Sequence, residues 1–150
     1  MQPFSVRRLP RVIASHELPA RVLLVTHDDN LRAVAGRALH HEGFAVEAVA
    51  HAGHALLACL GGRRFDVLAA ELEMRDTPGP LLAEQIRRHH PGLPVVYLAE
   101  AGTAPRDGVL VRPFIRDDLA RALNTALAAA AVQAAPEEPE RATSAPSPAS

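Results

Sequence analysis

The sequence predicts a doubly wound α/β fold, in which helices cover both faces of a parallel sheet. Short apolar runs of strand length recur along the chain, and amphipathic segments of helical period separate them. Strands of a parallel sheet are buried on both faces, so they read as nearly continuous apolar runs. At 150 residues, the chain is long enough for one domain with a proper core.

The first strand and first helix have the clearest boundaries. Residues 21–25 form an apolar run that leads into a polar loop. Either Asp28 or Asp29 can accept hydrogen bonds from the exposed N–H groups of the helix that follows. Its apolar side chains recur at helical spacing until Gly43 ends the pattern.

The middle of the chain repeats the alternation of strand and helix. Residues 44–49 alternate apolar with smaller or charged side chains and predict an edge strand. A second helix follows over residues 52–60, and residues 65–70 form the next buried strand. A third helix begins near Leu81 and ends near Pro91.

The connection between the last two strands is unusually short. Residues 94–98 and 109–111 predict these strands, and only the ten residues 99–108 join them. A parallel crossover that carries a helix usually needs a dozen or more residues, so we expect that helix to be shortened or missing. The final helix carries Asp117 and Asp118 in its first turn, where carboxylates are favoured, and continues through an alanine-rich stretch.

Three segments of different composition suggest the organisation of the chain. Residues 1–20 contain three prolines among scattered apolar side chains and predict an arm. Residues 21–132 form the predicted domain. Residues 133–150 are rich in Pro, Ala, Ser and Glu, with almost nothing to bury, and predict a disordered tail.

Composition argues against several classes of function. The net charge is −1 and all sixteen basic residues are arginines scattered along the chain, so we expect no nucleic-acid partner. Cys59 is the only cysteine, which leaves no intrachain disulfide. No apolar run approaches the ~20 residues of a membrane span, so we expect a cytoplasmic protein with no membrane contact.

Glu71 is the residue from which function has to be argued, because it ends a buried apolar run. Parallel sheets place their chemistry at the carboxyl ends of their strands, and several strands end at the same edge. The other predicted strands end near Thr26 and His27, at Ala99 and at Arg112. We therefore expect these side chains to lie close to Glu71.

The chain resembles a response-regulator receiver domain over about residues 21–127. The resemblance rests on the order of the strands and helices and on the positions at which the strands end. In that family, an acidic pair follows the first strand and an aspartate that takes up phosphate ends the third. A Thr or Ser ends the fourth strand, and a lysine followed by a cis-proline ends the fifth. The resemblance implies a five-stranded parallel sheet of CheY-like, or flavodoxin-like, strand order 2-1-3-4-5.

All five family positions carry a different residue in this chain. The acidic-pair positions are Thr26 and His27, the phosphoacceptor position is Glu71, the hydroxyl position is Ala99, and the lysine position is Arg112. We therefore predict a degenerate pseudo-receiver that is not an enzyme and has no catalytic residues or cofactor.

Magnesium binding is expected to be weak or absent at this edge. Phosphoryl transfer to a carboxylate needs a divalent cation held by several oxygen ligands. Thr26 offers a neutral hydroxyl and His27 a nitrogen. That leaves Glu71 with the nearby Asp28 or the Glu73 carbonyl as oxygen ligands.

Two other roles for the same residues remain open. Glu71 and Arg112 end at the same edge, where a carboxylate and a guanidinium can form a bidentate pair. Alternatively, His27 and Asp28 with Glu71 can form a transition-metal site, since histidine and carboxylates suit such ions.

The predicted function is that of a stand-alone receiver domain in a two-component phosphorelay, acting by protein contact without aspartate phosphorylation. Its partner would be a sensor kinase, a downstream signalling protein or a second copy of the chain. One alternative is a domain that binds a small anion or nucleotide. The other is a receiver that still accepts phosphate at Glu71.

The short connection has a consequence for the surface. Without a helix there, the apolar side chains of Val95, Tyr97 and Leu110 are less covered, and monomers rarely expose large apolar patches. The apolar residues of the arm, a second subunit or another protein are the candidates to cover this face.

Overall fold

A computed structural model of the chain describes residues 18–134. Residues 1–17 of the predicted arm and residues 135–150 of the predicted tail lie outside the described residues, whereas Gln133 and Ala134, the first two residues of that tail, belong to the last helix. The elements, in chain order, are β1 (Arg21–Val25), α1 (Asp29–His41), β2 (Ala45–Val49), α2 (Ala52–Leu60), β3 (Val67–Glu71), α3 (Gly79–Arg87), β4 (Val95–Ala99), β5 (Val109–Val111) and α4 (Arg116–Ala134).

The five strands form one parallel sheet of order β2-β1-β3-β4-β5, which confirms the predicted fold class. β1 and β3 lie at the centre, and Leu24 of β1 pairs with Ala69 of β3, which pairs in turn with Val96 of β4. The strand order reverses between β1 and β3, because the chain runs outward to β2 on one side of β1 and to β3, β4 and β5 on the other. At such a point the carboxyl ends of the central strands border a crevice, where ligands of these folds bind.

Two apolar layers fill the space between the sheet and the helices. Leu23 and Leu68 belong to the layer under α2 and α3, whereas Leu24 and Leu98 belong to the layer under α1 and α4. Successive side chains of a strand point to opposite faces, so a strand covered on both sides must be apolar at nearly every position. This requirement explains the continuous apolar runs of β1 and β3.

The start of α1 shows which of the two candidate residues caps the helix. Asp28 is the N-cap and accepts a hydrogen bond from the Leu31 N–H at 3.0 Å. Asp29 lies in the first turn and pairs with Arg32 instead. Beyond the helix, Gly43 has a φ of +99°, a left-handed conformation that glycine adopts without a steric penalty.

The third helix is shorter than predicted, since α3 ends at Arg87 rather than near Pro91. The N–H groups of His89 and His90 both donate to the carbonyl of Ile86, so the chain tightens into a turn before it reaches β4. None of the helices within residues 18–134 is long and apolar enough to cross a membrane.

The connection between β4 and β5 contains no helix within residues 100–108, as the sequence predicts. Short-range hydrogen bonds hold its turns, including one from the Thr103 N–H to the Glu100 carbonyl at 3.1 Å. All three residues of β5 are only half-buried, whereas all five residues of β3 are buried. β5 is an edge strand, like β2, and both are less covered than the centre of the sheet.

Candidate functional site

The carboxyl edge of the sheet brings the predicted site residues together. Thr26 follows β1, Glu71 ends β3 beside Leu98 of β4, and Arg112 follows β5. Glu71 is only 4% exposed. Within the described part of the chain, Glu71 and Thr26 are the two buried polar residues. A buried carboxylate needs compensating partners, because burial removes the water that would otherwise stabilise its charge.

Arg112 supplies one of these partners. Its Nη2 donates a hydrogen bond to Glu71 Oε2 at 3.2 Å. The pair rests on this one contact rather than on the bidentate arrangement considered from the sequence. The guanidinium also lies 3.8 Å from a carboxylate oxygen of Asp28 and 3.8 Å from one of Glu100, so it faces three carboxylates at once.

His27 lies on the other side of the same carboxylate. Its Nδ1 is 2.7 Å from Glu71 Oε1, but the ring is not oriented to direct an N–H at that oxygen. Oε1 is therefore buried without a hydrogen-bond donor among residues 18–134. The proximity makes His27 an electrostatic neighbour of Glu71, because a protonated ring places a positive charge beside the carboxylate.

Thr26 faces inward and holds the loop between β1 and α1. Its side chain is fully buried, and its Oγ1 accepts a hydrogen bond from the Asp28 N–H at 3.1 Å. Its carbonyl accepts another from Arg32 Nη1 at 2.8 Å, and its own N–H donates to the Val49 carbonyl. The hydroxyl thus has a structural role in the loop.

Asp28 is tied to the helix that it caps. The Leu31 N–H, which donates to this carboxylate, is the main cause that lowers the pKa of Asp28. Burial is the second-largest cause and raises the pKa, whereas the Asn30 N–H and the charges of Arg112 and His27 lower it further. Asp28 is therefore an ionised neighbour of Arg112 whose orientation is set by α1.

Ala99 leaves a small space where the resemblance places a hydroxyl. A cavity of about 30 Å³ lies among Glu71, Ala99, Glu100 and Thr103. This volume is about the share of one water molecule in the liquid. Nothing in the alanine side chain can donate a hydrogen bond to a group bound there.

Gly79 is a further residue of this site and begins α3. A Cβ at this position would lie 2.3 Å from the Glu71 carbonyl oxygen and 3.1 Å from Tyr97 Cδ1. The Gly79 N–H also donates to the Leu72 carbonyl at 2.9 Å. Glycine thereby lets the start of α3 pack directly against the backbone that carries Glu71. The signal in the sequence was a glycine flanked by Pro78 and Pro80, where a helix begins.

Few of the side chains at this edge offer the oxygen ligands that magnesium prefers. The hydroxyl of Thr26 is turned into the loop, His27 offers nitrogen, and Asp28 is held by the helix N-terminus, whereas magnesium prefers oxygen ligands in near-octahedral geometry. Across residues 18–134, no three His, Cys, Asp or Glu side chains are arranged to hold a metal ion. The transition-metal site considered from His27, Asp28 and Glu71 is not assembled.

Curated proteins with similar sequences include regulators and a kinase. The chain is 33% identical over 136 residues to the transcriptional regulatory protein GlrR of Escherichia coli, covering 85% of this chain and 29% of that protein. It is 32% identical over 112 residues to the sensor kinase CckA of Brucella abortus, covering 67% of this chain and 12% of the kinase. The chain thus spans only a minor part of each of these relatives.

Solved structures support the same relationship. The receiver domain of the hybrid histidine kinase CckA matches with a TM-score of 0.61 at 28% identity, over 72% of this chain and 99% of that one. A response regulator receiver protein from Sinorhizobium medicae matches with a TM-score of 0.68 at 22% identity, over 75% and 97% of the two chains, which supports the fold alone. Residues 22–124 match the response regulator receiver domain family, so the chain belongs to that family of two-component signalling domains.

Proposed function

We propose that this chain is a receiver domain that acts by contact with another protein and takes up no phosphate at Glu71. The observation that carries the proposal is the state of the Glu71 carboxylate, which is 4% exposed and enclosed by groups of the same chain. Arg112 donates to one of its oxygens, and His27 lies 2.7 Å from the other.

The position of this carboxylate argues against its use as a nucleophile. Glutamate is one methylene longer than aspartate, which displaces the reactive oxygens by about 1.5 Å, and in-line attack tolerates little displacement of that size. The attacking oxygen would also have to give up its contact with Arg112 or with His27. Neither Thr26 nor His27 offers the anionic oxygen that would hold a charge-neutralising cation.

The residues that would report phosphorylation in this family are also replaced. Ala99 has no hydroxyl to contact a phosphoryl oxygen, and Val109 has no aromatic ring at the position where the family carries its switch residue. In this proposal, the internal ion pair between Glu71 and Arg112 takes the place of a contact that would depend on phosphorylation. The domain therefore holds one state, and its partner reads a fixed surface.

The partner that we propose is a sensor kinase, a downstream signalling protein or a second copy of the chain. The site offers little to a nucleotide or small anion, because three carboxylates surround the guanidinium of Arg112 at 3.2 to 3.8 Å. That excess of negative charge repels phosphate.

Labelling with a small phosphodonor tests the proposal. The chain is incubated with acetyl phosphate or phosphoramidate, with and without Mg²⁺, and its intact mass is measured. We expect no added phosphoryl group under either condition. A Mg²⁺-dependent phosphoryl adduct that maps to Glu71 by peptide sequencing would contradict the proposal.

Two variants serve as controls for this assay. Glu71→Asp alone should remain unlabelled, because it corrects the reach of the acceptor but not the positions that hold the cation. Adding Asp at positions 26 and 27, Thr at position 99 and Lys at position 112 restores the family's residues and should give at least partial labelling. Labelling of Glu71→Asp alone would show that the missing cation ligands are not what prevents phosphorylation.

A further inference from the structure

The C-terminal half of α4 borders a groove that is separate from the Glu71 edge. The groove has a volume of about 830 Å³ and lies at the amino end of β1. Phe44, Leu127, Ala128 and Ala131 provide its apolar lining, and Leu18 forms part of its wall. We refer to it as the arm groove.

The shape of α4 explains why the groove exists. The helix has 19 residues and is therefore about 28 Å long, whereas a five-residue strand spans about 17 Å. Its last turns extend past the sheet, so Ala128 and Ala131 are exposed even though Leu127 still packs against the core. Small apolar side chains on an overhanging helix leave room for another segment beside them.

The position of residues 18–20 indicates which segment occupies the arm groove. Leu18, Pro19 and Ala20 line the arm groove just before β1 begins, and Leu18 is 79% exposed. The residues immediately before them in the sequence include Leu9, Val12 and Ile13. From Leu18, six residues reach at most about 20 Å, which exceeds the ~10 Å rise of α4 from residue 124 to residue 131.

We propose that residues 9–13 occupy the arm groove and place the side chains of Val12 and Ile13 against Leu127 and Ala131. A tethered segment competes well with free partners, because a short linker gives it an effective concentration in the millimolar range. From the sequence, the arm was one of three candidates to cover the face beside β5, together with a second subunit and another protein. The path of residues 18–20 leads instead to the groove on the other side of α4.

The test uses the full chain, in which the methyl groups of Val12 and Ile13 are observed by NMR. We expect nuclear Overhauser contacts from these methyls to Leu127, Ala128 and Ala131, at intensities that do not depend on protein concentration. Ala131→Asp places a charge in the arm groove and should abolish them. A second groove, lined by Val109, Leu110, Ala129 and Ala130, lies beside β5, and we refer to it as the β5-side groove. Ala129→Asp is the matched control, since Ala129 is also an exposed alanine of α4 but lines the β5-side groove, and this variant should leave the contacts unchanged.

Three results would overturn the proposal. The first is the absence of contacts from Val12 or Ile13 to α4 in the unmodified chain. The second is a set of contacts to Ala129 and Ala130, which would place the arm in the β5-side groove. The third is contacts that appear only between differently labelled molecules, which would make a second copy the occupant. None of these results bears on the proposed role of Glu71.

Discussion

Leu68 and Glu71 lie three residues apart in β3, and both are almost completely buried. Leu68 is surrounded by apolar side chains of the layer under α2 and α3, so its environment requires only size and apolarity. Glu71 is surrounded by charged groups, so its environment requires Arg112 in a particular orientation. β3 therefore contains one residue buried among apolar side chains and one buried among charged groups, and only the second depends on the identity of a particular partner.

The two environments constrain the sequence differently. A packed apolar interior tolerates substitutions that conserve volume, so the fold does not depend on the identity of each apolar residue. The edge depends on the identity of a few side chains, and we propose that the five replaced positions change its chemistry without changing the sheet. A family fold therefore does not establish the family's reaction.

Replacing Leu68 by alanine should have the largest effect on stability. The side chain is fully buried, and truncation leaves a cavity that costs about 2 to 5 kcal/mol of unfolding free energy. Leu57→Ala is the control, because Leu57 is 67% exposed and its truncation should change stability by only about 0.5 kcal/mol. Urea denaturation measures both. Equal effects would mean that the assignment of the apolar layer is wrong.

Gly79→Ala tests whether the edge depends on the close approach of α3. The new Cβ would collide with the Glu71 carbonyl, and relief of that collision should cost about 1 to 3 kcal/mol. Gly36→Ala serves as the control, because nothing lies within 4 Å of a Cβ there and alanine should stabilise α1 by about 0.5 to 1 kcal/mol. Thermal or urea unfolding distinguishes the two. A stable Gly79→Ala variant would show that the backbone of Glu71 is not held by this contact.

The smallest predicted effect is the change with pH in the contribution of Asp28 to the free energy of unfolding. Its folded pKa is lowered below 3.8, so its contribution to stability is present above that value and is lost as the pH falls through the folded pKa. Asp28→Asn keeps a capping oxygen but cannot ionise. The stability difference between the two proteins should be constant near neutral pH and shrink below pH 3.8, as measured by unfolding at several pH values. A difference that grows in acid would reverse the sign of the linkage.

The sequence was sufficient to predict most of the fold, because apolar runs and helical periods are local signals. The second helix was predicted within its observed bounds, Ala52–Leu60, and the short β4–β5 connection was identified by counting residues. The end of α3 was predicted too late. Its last turn is closed by bonds from His89 and His90 to the Ile86 carbonyl, and the His90 ring also contacts the Cys59 carbonyl of α2, a tertiary contact that the sequence pattern does not specify.

The site was predicted less completely than the fold. Strand ends predicted that Glu71 and Arg112 meet, since residues at one edge of a parallel sheet are neighbours. The position of the His27 ring, the approach of Glu100 and the contact made by Gly79 depend on side-chain and loop geometry, which the sequence pattern does not specify. An acidic residue directly after β4 was the available signal for Glu100.

A double-mutant cycle between Glu71 and Arg112 tests the central claim most directly. Glu71→Gln, Arg112→Ala and the double variant are compared with the unmodified chain by urea denaturation. We predict a coupling of about 1 to 3 kcal/mol, because Glu71 is buried while Arg112 is partly exposed and has two further carboxylates nearby. The exposed pair of Arg116 and Glu42 is the reference and should give no more than about 1 kcal/mol. A coupling between Glu71 and Arg112 within the error of the measurement would contradict the claim that an internal ion pair holds this carboxylate.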